Sequence, residues 1–263
     1  MLRYRVLGPI EIQADDGPVE IPGRFQRTLL AALLVNTGRL VMAHSLVDEL
    51  WGAHPPGNSE NALQAHVSRL RRTLTKAQPH RSAPHIVSLP SGYRLLVEPD
   101  EVDADRFIRA VGYVRSRPDL DPAETTRRLR DALALWRGAA FGGDIGGFIC
   151  QAAAIRYDEH RSSALELLFE TELLIGRHAQ VIAELSEFVE SDSVNEKLCA
   201  QLMVALYRAG RQTDALALYR RVRGRLADEL GIEPSPTLRN CERAILSHDP
   251  MLEARSQPIA LRG

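Results

Sequence analysis

Asn61-Ala-Leu-Gln-Ala-His-Val-Ser-Arg-Leu-Arg-Arg-Thr-Leu74 reads as one helix with two unlike faces. Leu63, Val67, Leu70 and Leu74 fall at i, i+4, i+7 and i+11, the spacing of a single buried stripe. Asn61, Gln64, Ala65, Ser68, Arg69 and Arg72 lie largely on the opposite side. Such a face combines side chains that read bases with cations that hold phosphate: Arg forks onto guanine, and Asn or Gln onto adenine. From Asn61 to Val97 there is no Asp or Glu, while Arg69, Arg71, Arg72, Lys76, Arg81 and Arg94 are basic. A surface cleared of carboxylates suits a polyanion. A structural helix with a solvated basic face shows the same pattern, so the flanking segments decide.

Upstream, Arg24 to Asn36 has strong helix formers and a wide apolar face, ended by Thr37-Gly38. Ser45 is placed to cap a short second helix through Leu46, Val47, Leu50 and Trp51, stopped by Gly52. Ala53-His-Pro-Pro-Gly-Asn58 is a turn-rich loop that cannot be helical through its prolines. Ser59 followed by Glu60 is expected to cap and open the next helix. Downstream, His85 to Leu89 reads as a strand, Pro90-Ser91-Gly92 as a turn and Tyr93 to Val97 as a second strand. Helix, helix, loop, basic helix and hairpin make a winged helix-turn-helix. Ahead of it, Arg3 to Leu7, Ile10 to Gln13 and Val19 to Pro22 alternate as short strands around Asp15-Asp16-Gly17.

This order resembles the OmpR-type DNA-binding domain, in which a four-strand sheet precedes three helices and a C-terminal wing. The stretches Phe25-Gln-Arg-Thr-Leu-Leu-Ala-Ala-Leu-Leu34, Leu46-Val-Asp-Glu-Leu-Trp-Gly52, Pro55-Pro56, Ala62-Leu-Gln-Ala-His-Val-Ser-Arg-Leu-Arg71 and Gly92-Tyr93 resemble, more specifically, the Streptomyces antibiotic regulatory protein family. The second half extends the likeness. Gly176-Arg-His-Ala-Gln-Val-Ile-Ala-Glu-Leu185 realigns on Gly210-Arg-Gln-Thr-Asp-Ala-Leu-Ala-Leu-Tyr219 at an offset of 34, the tetratricopeptide period. Each Gly-Arg turn follows an apolar helix (Ala164 to Leu174, Leu198 to Arg208) and precedes another (Val181 to Val189, Thr213 to Leu226). Two copies cannot bury a solenoid core alone. Helices near Phe107 to Val114, Pro122 to Trp136 and Ile149 to Phe169 are therefore expected to complete the array. Ala132-Leu-Ala-Leu-Trp-Arg-Gly138 and Glu229-Leu-Gly-Ile-Glu-Pro-Ser-Pro236 resemble the bacterial transcriptional activator domain that follows the winged helix in this family. The expected fold is mainly α with a small β component: a winged helix-turn-helix over residues 1–98, an all-α tetratricopeptide-like domain over 99–248, and a flexible tail over 249–263.

The chain has 263 residues, 44% hydrophobic, enough for two domains with proper cores. Its net charge of −1 hides an asymmetry. Residues 1–98 carry 11 Lys and Arg against 8 Asp and Glu, whereas the rest carries 22 against 26. The basic half is the expected DNA half; the acidic half suits protein contacts. No span is apolar enough for a membrane helix and no signal peptide precedes Met1-Leu-Arg-Tyr4, so a cytoplasmic, nucleoid-associated protein is expected. Cys150, Cys199 and Cys241 sit far apart in apolar helical surroundings and read as reduced, buried thiols.

Catalytic and metal chemistry is not expected. His44, His54, His66, His80 and His85 have no partner at zinc-ligand spacing. His66 is open to either a phosphate contact or a structural role. Gly142-Gly143-Asp-Ile-Gly146-Gly147 lacks the Lys and Ser/Thr of a phosphate loop and reads as a flexible connection. Asp100, Asp103 and Asp105 miss the calcium-loop pattern, and Asp103 is better used as a helix N-cap. No nucleophile elbow or carboxylate dyad is visible, and control by a receiver domain ahead of the winged helix is not expected. No enzyme activity, cofactor or metal follows from these residues.

The family resemblance implies a sequence-specific transcriptional activator of a biosynthetic gene cluster. It puts Asn61 to Thr73 in a major groove, with Gln64 and Arg69 reading bases and Asn61, His66, Ser68, Arg71 and Arg72 nearby. It implies tandem direct repeats in double-stranded promoter DNA, bound by protomers arranged head to tail. The loop carrying Trp51, His54, Pro55, Pro56 and Asn58 would face RNA polymerase, recruited through the sigma factor and the C-terminal domain of the polymerase α-subunit. Family members commonly carry an Arg at the wing tip; here Ser88-Leu-Pro-Ser91 stands there, which leaves Arg94 as a backbone contact. A helical-repeat scaffold or ligand sensor with weak DNA binding is the alternative.

Overall fold

A computed structural model describes residues 1–143, 146–190 and 195–253. The elements run β1 (Arg3–Arg5), β2 (Glu11–Ala14), β3 (Gly17–Val19), α1 (Arg24–Val35), β4 (Val41–Met42), α2 (Ala43–Trp51), α3 (Ser59–Ala77), β5 (Ile86–Leu89), β6 (Gly92–Leu95), α4 (Asp103–Arg115), α5 (Pro122–Leu133), α6 (Phe148–Leu174), α7 (His178–Val189), α8 (Glu196–Arg208), α9 (Gln212–Arg225) and α10 (Pro236–Leu246). The chain is mainly helical with two small sheets. The stretch of the expected tail beyond Glu253 lies outside the described residues.

Contacts divide the chain into two compact units, Met1–Ser116 with Asp131–Arg161, and Arg117–Arg130 with the chain from Ser162 onward. Two of the breaks fall inside α5 and α6 and one falls between α4 and α5, so the first unit extends beyond the 98 residues expected for the winged helix.

In the first unit the β1-β2-β3 sheet is antiparallel, and Tyr4 bridges Val102 in parallel on the free edge of β1. Three strands and this bridge stand where a four-strand sheet was expected. Ala14 pairs with Gly17, so only Asp15-Asp16 make the turn and the third strand begins earlier than Val19. Pro18 is tolerated because β3 is an edge. The same shortening occurs in the wing: Leu89 pairs with Gly92, leaving Pro90-Ser91 as the turn. Gly92 is required there, since a Cβ would collide with the Val41 carbonyl of β4.

Leu63, Val67, Leu70 and Leu74 are all buried, against a core that includes Leu29, Leu30, Leu33 and Leu46. The periodic stripe therefore sets the register of α3. The helix starts depart from the sequence expectation. α3 is capped by Asn58, whose side chain accepts from the Asn61 N–H, and Ser59 is already helical. α2 starts at Ala43, not at Ser45, because β4 leads straight into it and the Ala43 N–H donates to the Ser91 carbonyl of the wing turn. Asp103 opens α4 without capping it; its buried carboxylate accepts instead from the Val6 and Leu7 N–H groups at 2.8 and 3.2 Å. The 137–141 segment adds to this attachment, with the Arg137 and Phe141 N–H groups donating to the Leu7 and Val6 carbonyls.

The second unit repeats at the offset found in the sequence. The Arg177 N–H donates to the Glu172 carbonyl and the Arg211 N–H to the Leu206 carbonyl, both at 2.9 Å, and Gly176 and Gly210 both take positive φ. α8 packs against α7, α9 and α10. Glu172, 1% exposed, is held by Arg130 at 2.9 Å and Arg177 at 3.3 Å, and Arg130 also reaches Glu184 at 3.2 Å. A buried carboxylate with two guanidinium partners keeps its charge compensated. Cys150 and Cys199 are buried and Cys241 is half-buried; all three are free.

Candidate nucleic-acid interface

The outer face of α3 is built by default from its inner one. With the four apolar residues buried, Asn61, Gln64, Ala65, Ser68, Arg69 and Arg72 are exposed. No hydrogen bond or ion pair engages the side chains of Gln64, Ser68, Arg69 or Arg72 among the described residues. Glu60 lies in the first turn and Lys76 in the last, matching the helix dipole at both ends. These groups sit on a rigid 19-residue helix and keep their full hydrogen-bonding capacity for something outside the chain.

Two other sequence candidates, His66 and Arg71, are engaged internally, and a third, Arg94, is not. His66 Nδ1 lies 3.1 Å from Gln26 Nε2, which also donates to the His66 carbonyl. The His66 ring packs with Phe25 and Trp51 at centroid distances of 5.4 and 5.9 Å. Burial, with Arg69 nearby, lowers its pKa, so the ring is neutral at physiological pH. His66 thus has structural partners in Gln26, Phe25 and Trp51. Arg71 is half-buried and donates from Nε to the Ile86 carbonyl at 3.0 Å and from its terminal nitrogen to Ser88 Oγ at 2.8 Å. Arg94, opposite Val87 in β6, is half-buried and its Nε has no partner.

The α2–α3 loop is exposed at His54, Pro55, Pro56 and Asn58, while Trp51 is half-buried in the Phe25–His66 cluster. Asn58 doubles as the α3 cap. The sequence did not single out Glu49. This α2 residue is 4% exposed and accepts from the Gly147, Ile149 and Cys150 N–H groups at 3.1, 2.7 and 3.0 Å. A Cβ on Gly147 would run into Glu49, which gives that end of the Gly-rich segment a packing reason. Asp144 and Ile145, in the same segment, lie outside the described residues. Burial and the Glu49 carboxylate both push the Cys150 thiol up, so it stays protonated. Among the described residues no cluster of His, Cys, Asp and Glu is arranged to hold a metal ion, and no helix is long and apolar enough to cross a membrane.

Residues 102–246 match the bacterial transcriptional activator domain, and residues 23–95 match the domain described as transcriptional regulatory protein, C terminal. Transcriptional regulator RedD of Streptomyces coelicolor is 42% identical over 97% of this chain and 73% of its own length. Regulatory protein DnrI of Streptomyces peucetius is 34% identical over 98% of this chain and 97% of its own. The solved structure of Mycobacterium tuberculosis EmbR in complex with a low affinity phosphopeptide superposes with a TM-score of 0.85 at 33% identity, covering 95% of this chain and 66% of that one. The two domain matches and the near full-length relatives agree with the winged helix and helical repeat found here: the chain belongs to the Streptomyces antibiotic regulatory protein family of transcriptional regulators.

Proposed function

We propose that this protein is a sequence-specific DNA-binding activator with no enzymatic activity, acting at the nucleoid on promoters of a biosynthetic gene cluster. The observation that carries the reading is the set of exposed side chains on α3, Gln64, Ser68, Arg69 and Arg72, which have no partner among the described residues and lie opposite a fully buried stripe. Gln64 and Arg69 read base edges in the major groove, and Arg72 holds phosphate. The test begins with duplexes selected from a random pool by the parent protein. Arg69→Ala should cost about 1–3 kcal/mol on the selected duplex and relax preference at one base position. Arg72→Ala should weaken all duplexes alike and reduce the slope of log affinity against log salt by about 0.9. An unchanged base preference in Arg69→Ala would remove that residue from the readout; a parent protein that enriches no sequence would remove the reading itself.

By family resemblance the target is a tandem direct repeat, bound by protomers arranged head to tail. RNA polymerase is recruited through the sigma factor and the C-terminal domain of the polymerase α-subunit. The exposed Pro55-Pro56 loop suits the polymerase contact. Its prolines stiffen it, which reduces the entropy lost on docking. Because Asn58 caps α3, the informative variant is His54→Ala with Asn58→Ser, which keeps a capping oxygen. Transcription from purified components should fall several-fold with affinity for the selected duplex intact. Parental transcription at saturating protein would rule the loop out.

A further inference from the structure

We propose that Arg71 is a positioning residue for the DNA interface, holding the wing at its working angle to α3 while making no DNA contact itself. This rests on the DNA-binding reading above. The sequence places Arg71 with the phosphate-holding cations; the geometry separates it from them.

Around α3, Arg71 falls on the flank shared with Glu60 and Gln64, about 100° from Arg72 on the 3.6-residue helix. That flank faces the wing. An open groove of about 650 Å³ separates the wing tip from α3, lined by His44, Glu60, Gln64, Pro90 and Tyr93 as well as Arg71. The wing tip therefore has little solid packing on that side. β5 is also the outer strand of the β4-β6-β5 sheet. His85 gives its carbonyl to the Leu96 N–H, and residues alternate along a strand, so the Ile86 carbonyl points away from β6 with no strand partner. Arg71 supplies the missing donor. Its planar fork reaches the Ile86 carbonyl with Nε and Ser88 Oγ with a terminal nitrogen, two points along the outer edge of β5. Arg81 makes a similar contact at the far end of the hairpin, donating to the Leu96 carbonyl at 2.7 Å. Two cations of the carboxylate-free stretch are thereby used on wing backbone.

A guanidinium spans two acceptors at fixed spacing; an ammonium is a point charge that cannot. Arg71→Lys therefore separates charge from bracing. On the selected duplex, Arg71→Lys and Arg71→Ala should both bind about ten-fold more weakly, the loss expected when charge-assisted hydrogen bonds orienting a surface are removed. The salt slope should stay parental in both, whereas Arg72→Ala lowers it by about one phosphate. In the DNA-free full chain, amide exchange across residues 86–95 should speed up in Arg71→Lys. Ser88→Ala, a surface change that leaves the fold intact, should show the same direction at smaller size. Parental affinity in Arg71→Lys, a reduced salt slope in Arg71→Ala, or unchanged wing exchange in Ser88→Ala and Arg71→Lys would each overturn the proposal. A parent chain that enriches no duplex would instead strike the DNA-binding reading, while the exchange measurement would still judge the brace.

Discussion

Val67→Asp is expected to unfold the winged helix. Val67 is 1% exposed at the centre of the α3 stripe, with Leu63 and Leu70 on either side at 1% and 0%. An aspartate there must either bury a charge or hold a proton that water would take from it. Leu29, Leu30, Leu33, Leu63 and Leu70 of the buried core offer aliphatic side chains and no donor, and Arg71, one turn further along α3, is already engaged by the Ile86 carbonyl and Ser88 Oγ. The cost is about 4 kcal/mol or more, a large part of the roughly 5–15 kcal/mol by which domains of this size are stable. Val67→Ile, which keeps shape and polarity, should cost about 1 kcal/mol. Thermal melting and amide exchange over residues 59–77 would report both. An aspartate variant that melts like the parent would mean that α3 has a different register from the one described.

The same stripe explains how much was legible beforehand. An apolar spacing of 3.6 is a local signal, so α3, its register and its exposed face followed from fourteen consecutive residues. The repeat in the second unit was legible for a related reason: the Gly-Arg turn recurs with the same hydrogen bonds. What failed depended on partners distant in sequence. Asp103 looked like a cap because its usual partner is a nearby N–H, yet its carboxylate answers Val6 and Leu7, nearly a hundred positions away. Ser45 does not cap α2 because the wing turn supplies a carbonyl to Ala43. Arg71 and His66 shared their composition with the exposed cations and polar groups around them. Only the placement of Ile86, Ser88 and Gln26 separates the internal pair from Arg69 and Arg72.

Glu49→Ala is the second large effect expected, and it concerns a residue with no local signature. Its side chain lies on α2 and receives three N–H groups from Gly147, Ile149 and Cys150, the first turn of α6. A helix leaves its first N–H groups without intrahelical acceptors, and a carboxylate there also meets the positive end of the dipole. Alanine removes the acceptor from three partly or fully buried donors at once. Relaxation is limited because Gly147 already sits against the Glu49 backbone. The expected loss is about 3 kcal/mol or more. Glu49→Gln should recover only part of it, since one amide oxygen remains as acceptor and the NH2 group faces donors. Glu60→Ala, an exposed acid on α3, is the control and should shift stability by less than about 1 kcal/mol. Denaturant melts would give the ranking, and amide exchange at residues 147–151 would locate the loss. Binding of the folded fraction to the selected duplex should stay at the parental level, because Glu49 is a buried α2 residue and not one of the exposed side chains of α3. A Glu49→Ala protein with parental stability and parental exchange at Cys150 would show that water replaces the carboxylate without cost, and the three hydrogen bonds would then have no role in holding α6 to α2.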